Sequence, residues 1–237
     1  MTPPPSSARS QFFLGARSFI PIAISIASYG VVWGVLAGQA GLTPLEVALM
    51  SGLVYAGSSQ FVALTLWSPG ALPIGAIVFA VAIVNLRMML MSATLRPLMQ
   101  DLPRWQALPA MFLVSDEVWA ITIAENAKGR GSVGFFLGAG TLAWCAWLGS
   151  TLGGRLLGAV ISDPRTYGLD FAFTATFLAL LFGMWKGKSD LVPWLAGALI
   201  AILVAQLLPG TWYIIAGGIG GSLIGALVED WRLRHVA

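Results

Sequence analysis

The chain predicts an all-α fold, a polytopic transmembrane helical bundle of six to eight membrane segments, two of them broken or re-entrant. Three observations carry that prediction. Hydrophobic residues fill 57% of 237 positions and charged residues 10%, against roughly a quarter charged in soluble domains. Eight continuous apolar stretches, centred near residues 28, 56, 82, 115, 145, 178, 200 and 219, lie between the charge clusters. Each is about as long as the ~20 helical residues that cross a ~30 Å hydrocarbon core, and continuous runs argue against barrel strands of ~10 alternating residues. Finally, polar residues interrupt two stretches at mid-length, where lipid offers the backbone no partner.

Taken in order, Met1 to Ser10 is rich in Pro and Ser, and residues 1–16 are expected to form a disordered cytoplasmic leader. A single transmembrane transport domain is expected over 17–230 and a cytoplasmic tail over 231–237. The first apolar run, Phe19 to Ala37, is too long for a signal-peptide core and reads as a retained anchor. It carries Gly30, Gly34 and Gly38 at four-residue spacing, and the last stretch repeats the device with Gly217, Gly221 and Gly225. Residues four apart share a helix face, so each stripe admits a second backbone, either within the bundle or from a separate membrane subunit.

In the second stretch, Leu45 to Trp67, the interruption is Gly57, Ser58, Ser59 and Gln60. Transporters bind substrate at such breaks near the bilayer centre; the alternative is a kink whose side chains bond back to carbonyls. The third stretch holds Asn85 and Arg87. An arginine there costs ~2.5 to 3.5 kcal/mol on insertion scales unless it snorkels or finds a partner. That partner is an acidic group of the protein or a substrate carboxylate, for which guanidinium offers a two-pronged fork. In the fourth stretch Ser115, Asp116 and Glu117 separate two apolar runs. Neighbours on a helix diverge by ~100°, so one carboxylate at most faces a given cavity. Its candidate roles are proton coupling, cation binding and an ion pair with Arg87.

Basic residues set orientation. With eight full crossings and the N-terminus inside, eight lie inside and four outside, Arg96 and Arg104 among the latter. If the second and fourth stretches turn back instead, the tally improves to ten against two, with Arg87 set aside as intramembrane. The two stretches that charge would have turn back are the two with polar breaks, and the order of span then broken segment hints at an internal repeat.

The basic balance, net charge +3, sits in loops at span ends and signals orientation rather than nucleic acid. One cysteine, Cys145, and one histidine, His235, form neither a disulfide nor a His/Cys metal cluster. No nucleophile elbow, phosphate-binding loop or Ser/His/Asp set is legible, so neither an enzyme nor a cofactor is expected. A channel lacks a ring of charges or a carbonyl filter.

Several motifs together resemble the AzlC-type branched-chain amino acid permeases, the large subunits of bacterial amino acid exporters. Tyr55-Ala-Gly-Ser-Ser-Gln-Phe61 is similar to the family's aromatic-Ala-Gly-x-x-Gln-Phe break, Val84-Asn-Leu-Arg87 to its Asn-x-Arg segment, and Ser115-Asp-Glu117 to its acidic pair. Asp163-Pro164 with Gly168-Leu-Asp-Phe171 is similar to its loop into the sixth stretch. Met88 departs from the pattern, which often has His there. The resemblance implies proton-driven export of Val, Ile, Leu or Met across the bacterial inner membrane, with a small AzlD-type membrane subunit as partner. It further implies Arg87 for the substrate carboxylate, Gly57 to Gln60 for the zwitterion, and Asp116 or Glu117 for the ammonium or proton; Asn85, close to Arg87 in sequence, adds an amide donor and acceptor to the expected substrate contacts. The alternatives are a non-transporting scaffold or regulatory subunit working through the glycine stripes, or a channel for a small polar solute.

Overall fold

Apolar runs make the helices of this chain, and glycines decide how closely they approach. The computed structural model describes residues 7–67, 70, 72–158, 178, 181–182, 185, 187–208 and 212–235. Among these, every regular element is helical. The chain divides into two compact units, Met1–Phe173 and Thr174–Ala237, within the stretch read from sequence as one domain. Most of the stretch centred near 178, the 163–171 motif and Lys186 lie outside the described residues.

The first unit contains α1 (Ala8–Gln39), α2 (Pro44–Leu49), α3 (Gly57–Thr65), α4 (Ile74–Met99), α5 (Arg104–Met111), α6 (Asp116–Ala127) and α7 (Val133–Gly158). Helices α1, α4 and α7 are each long and apolar enough to cross a membrane. Residues 8–16, expected to be disordered, are instead the first turns of α1, capped by Ser7, whose Oγ accepts from Ser10 N at 3.2 Å. They are ordered because they pack on α7: Gly134 lies against Ala8 and Gln11, and Gly138 against Phe12.

That packing continues the length of both helices. Gly30 meets Ser150, Gly34 meets Thr151 and Gly38 meets Arg155, so residue numbers rise together and α1 and α7 run parallel. A Cβ at Gly34 would collide with the Thr151 carbonyl oxygen, and one at Gly154 with that of Val31. The stripe on α1 is thus covered by α7. Gly34→Ala is expected to destabilise by about 1–3 kcal/mol through overpacking. Gly153→Ala, whose Cβ meets nothing within 4 Å, is expected to gain up to about 1 kcal/mol of helix propensity. Thermal unfolding of both variants in one detergent checks the contrast.

Between α1 and α7 two segments enter the unit and turn back. The first starts where α7 ends, since Arg155 Nε donates to the Leu42 carbonyl at 2.7 Å. Thr43 and Glu46 form a capping box with Pro44 in the first turn, which starts α2. A π-helical turn, Met50–Val54, follows, with Trp144 Nε1 donating to the Gly52 carbonyl at 3.1 Å. Tyr55 then adopts left-handed backbone, φ 45° and ψ 49°, and Ala56 is extended, φ −140°. Ser51 and Gln60 side chains meet at 3.3 Å although nine residues apart, a separation of about 13 Å on a straight helix. The chain therefore reverses, and α3 leads back toward the start of α4.

The second segment reverses at the other end. Met88, Ser92 and Arg96 of α4 face Arg104, Ala107 and Met111 of α5 across one cavity, so α5 runs back along the second half of α4. Helix α6 starts at Asp116 beside Arg87 and carries Trp119 to Thr94, Nε1 donating to Oγ1 at 2.7 Å, which returns it toward the end it came from. It then descends antiparallel to α7, with Leu113 against Gly140 and Asn126 against Gly131. Glu125 clasps the connecting loop, accepting from Lys128 Nζ at 2.8 Å and Arg130 Nε at 2.9 Å. The hydrogen bonds from Arg130, then from Lys128, hold its carboxyl down at about 2. Span plus hairpin is thus repeated with inverted sense, α1 with α2–α3 and α4 with α5–α6.

Both breaks are displaced from where sequence put them. Gly57 to Gln60 form the first turn of α3, and the reversal is at Tyr55 and Ala56. Asp116 and Glu117 open α6, and the turn spans Phe112 to Ser115. At α6 Ser115 caps the first turn, whereas the polar side chains that open α3 bond to Ala56, Ser51 and Arg87 and cap no backbone N–H.

In the second unit a 3₁₀ turn, Lys188–Asp190, leads into α8 (Leu191–Leu207), and α9 (Trp212–His235) follows. Lys188–Leu207 is long and apolar enough to cross a membrane. Gly217 and Gly221 lie against Gly197, and Gly225 against Pro193, which makes α8 and α9 antiparallel and covers the second stripe.

Candidate functional site

The two hairpin tips meet at one arginine. Arg87 Nη2 donates to Ser58 Oγ at 2.9 Å, in the first turn of α3, and pairs with Asp116 Oδ2 at 2.8 Å, the first residue of α6. Each half-helix brings the positive end of its dipole to this point. No side chain caps α3; on α6, Ser115 Oγ accepts from Val118 N at 3.3 Å. A guanidinium and two helix N-termini concentrate positive charge that Asp116 offsets. Glu117 diverges as neighbours must and accepts from Ser115 Oγ at 3.0 Å.

The other residues singled out in the first tip serve its shape. Ser59 Oγ donates to the Ala56 carbonyl at 2.9 Å, closing the turn. Gln60 is fully buried; its Nε2 donates to Ser51 Oγ and its Oε1 accepts from Trp147 Nε1 at 2.9 Å. Gly57 leaves room for the Trp147 ring, which a Cβ would approach to 3.1 Å. Trp147 packs in turn on the fully buried Trp33, ring centroids 6.3 Å apart. Of the residues read from sequence as polar contacts, Ser58, Arg87 and Asp116 converge, whereas Ser59 and Gln60 are engaged within the hairpin.

Beside this junction lies a cavity of ≈ 230 Å³ lined by Val54, Tyr55 and Ala56 from the first tip, Phe112 and Val114 from the second, Asn85, Met88 and Ser92 from α4, and Met111. Arg87 is not in its lining; it closes the contact between the tips that wall it. Four polar atoms are buried without a partner among the described residues: Arg87 Nε, Asn85 Oδ1, Tyr55 Oη, the last beside Ser115, and Trp33 Nε1 on α1. Buried polar groups are otherwise nearly always paired; of these atoms, those of Asn85 and Tyr55 belong to residues that line the cavity, and Arg87 joins the tips that wall it. A second cavity of ≈ 720 Å³ shares Met88, Ser92 and Met111 with the first and extends to Arg96 and Arg104.

Sequence reasoning missed Tyr55 as the hinge and Ser51 and Trp147 as partners of Gln60. Tyr55 carries no turn signature, and bulky residues at positive φ are genuine outliers that concentrate at functional sites.

Residues 21–161, which take in both hairpins, Arg87 and all of α7, match the sequence pattern of the family described as AzlC protein. The chain belongs to the AzlC family. Its relatives include an uncharacterized membrane protein of Archaeoglobus fulgidus, 32% identical over 95% of this chain and 97% of that one. The inner membrane protein YgaZ of Escherichia coli K12 is 28% identical over 98% and 96%. The branched-chain amino acid transport protein AzlC of Bacillus subtilis is 27% identical over 87% and 82%. No solved structure matches the chain. The long apolar helices and the AzlC match together make it a multi-pass membrane protein.

Proposed function

We propose that this AzlC-family chain is the transport subunit of a secondary exporter for branched-chain and related neutral amino acids, Val, Ile, Leu and Met, in the bacterial inner membrane. The observation that carries the reading is the junction at Arg87, with its orphaned polar atoms beside a small, otherwise apolar cavity. At ≈ 230 Å³ that cavity is below the ~300 Å³ at which drug-sized pockets begin, and it suits a small solute. One wall offers polar atoms for a zwitterion; Val54, Met88, Met111 and Val114 offer an apolar surface for a side chain. Arg87 and the first turn of α3, from Gly57, face the carboxylate, and Asp116 or Glu117 takes the ammonium or the coupled proton, with Asn85 adding its amide.

The charge pattern supports an orientation with the N-terminus in the cytoplasm, since the α4–α5 loop with Arg96 and Arg104 then lies inside. The larger cavity opens toward that loop, as loading for export requires. A small AzlD-type membrane subunit is its partner in this reading. Both glycine stripes pack on helices of the same chain, which favours the transport reading over a scaffold role. Counterflow of labelled valine in proteoliposomes, with and without the small subunit, tests the proposal. Saturable exchange is expected; folded protein without exchange in either assembly contradicts it.

A further inference from the structure

We propose that the substrate splits the Arg87–Asp116 ion pair, its carboxylate taking Arg87 and its ammonium taking Asp116, so that amino acid and proton compete for one carboxylate. This rests on the transport reading above and assigns both halves of its chemistry to a single residue pair.

Arg87 Nε is a donor, Asn85 Oδ1 an acceptor, and Tyr55 Oη can be either. An anion alone would leave Asn85 unmet, and a cation alone would leave Arg87 Nε unmet. A zwitterion supplies acceptors and donors together. The side-on fork of a guanidinium consists of Nε and Nη2. Here Nε is unpaired while Nη2 serves both Ser58 and Asp116. A carboxylate that takes the whole fork therefore displaces one of them, and Asp116 is the one it repels.

Displacement strands a carboxylate, which is unfavourable in a low dielectric unless a cation or a proton replaces the arginine. An α-amino acid brings that cation with it. One ion pair becomes two, with no change in net charge and no proton needed while the substrate is bound. With the site empty of substrate, a proton on Asp116 blocks the ammonium position. The side chains of Arg87 and Asp116 are 37% and 41% exposed, so the pair can be reached and separated without breaking the core. Among the described residues, the charged or titratable groups around Asp116 are Arg87 from α4 and Glu117 from α6 itself, with Tyr55 of the first tip and Cys145 of α7 beyond Glu117. Mutual exclusion of proton and substrate is the binding order that lets an inward proton gradient drive export. Splitting the pair also releases the contact that joins the two hairpins, so occupancy and hairpin movement are linked.

The test is equilibrium binding of labelled valine to the full chain in lipid nanodiscs. In wild type, affinity is expected to fall as pH is lowered from about 7.5 to about 5, with a slope that approaches but does not exceed about tenfold per pH unit, the limit set by a single competing proton. A hundredfold excess of isovalerate, which has the carboxylate without the ammonium, is expected to displace less than about a tenth of the valine. Asp116→Asn is expected to bind at least about thirtyfold more weakly, with the residual affinity independent of pH. Isovalerate competing as well as leucine would overturn the proposal, and this arm needs no variant. Folded Asp116→Asn with wild-type affinity, or with the wild-type pH dependence, would assign the proton to another group and overturn it as well. No binding of valine, leucine, isoleucine or methionine by folded wild type would instead overturn the transport reading itself, and this proposal with it.

Discussion

Replacing Arg87 by alanine is expected to abolish saturable amino acid exchange while the protein remains inserted and folded. Arg87 links the two tips: it holds Ser58 of α3 and pairs with Asp116 of α6 through one nitrogen. Truncation removes the fork for the substrate carboxylate and leaves Asp116 without its cation. The pair is more than a third exposed, so its loss costs less than that of a buried pair; losing a charge-assisted hydrogen bond worth about 1.5–3 kcal/mol is expected to weaken substrate binding by about tenfold or more. The α1–α7 glycine packing does not involve Arg87, which is why insertion and folding persist. Arg87→Lys keeps the charge but offers a point donor in place of a fork, and an intermediate loss is expected. Counterflow with both variants, at matched amounts of folded protein, checks this. Normal flux in Arg87→Ala would leave the residue as an interfacial anchor.

Gln60→Ala is expected to remove exchange by a different route, through the shape of the first tip. The carboxamide joins Ser51 before the turn to Trp147 on α7, and all of it is buried. Its removal strands the Trp147 indole N–H and the Ser51 hydroxyl, each at about 1–3 kcal/mol. A lower melting temperature together with lost exchange is the expected result, where a residue that only touches substrate would lower affinity alone. Thermal unfolding and valine binding measured on the same preparation separate the two roles.

Composition and periodicity were sufficient for the helical fold, and the polar interruptions together with Arg96 and Arg104 located both hairpins. What sequence misplaced was the bend itself. Ser58, Asp116 and their neighbours advertise a helix N-terminus, and that terminus lies after the turn. Tyr55 and Ala56 make the reversal without a glycine or proline to announce it. The stripe Gly30, Gly34, Gly38 was legible as a close-packing face, but its partners are Ser150, Thr151 and Arg155 of α7, which carry no close-packing signature, and Gly134, Gly138, Gly154 and Gly158 of α7 pack on other residues of α1. Gln60 read as a substrate contact because a lone amide at mid-depth calls for a partner; that its partners are Ser51 and Trp147 is a tertiary fact. The pairing of Arg87 with Asp116 was one of the readings open at the start, and the chain adds that the same guanidinium nitrogen reaches Ser58.

The arrangement of opposed hairpins with tips at Arg87 stands or falls on topology. Single cysteines at Gln100, in the turn between α4 and α5, and at Lys128, in the turn after α6, placed in a Cys145→Ser background, can be labelled in intact cells with a membrane-impermeant thiol reagent. Hairpins that turn back place both positions on the same side, protected or labelled together, with Gly41 on the opposite side. Labelling of Gln100 and Lys128 from opposite sides would mean that α5–α6 crosses the membrane, and would contradict the account.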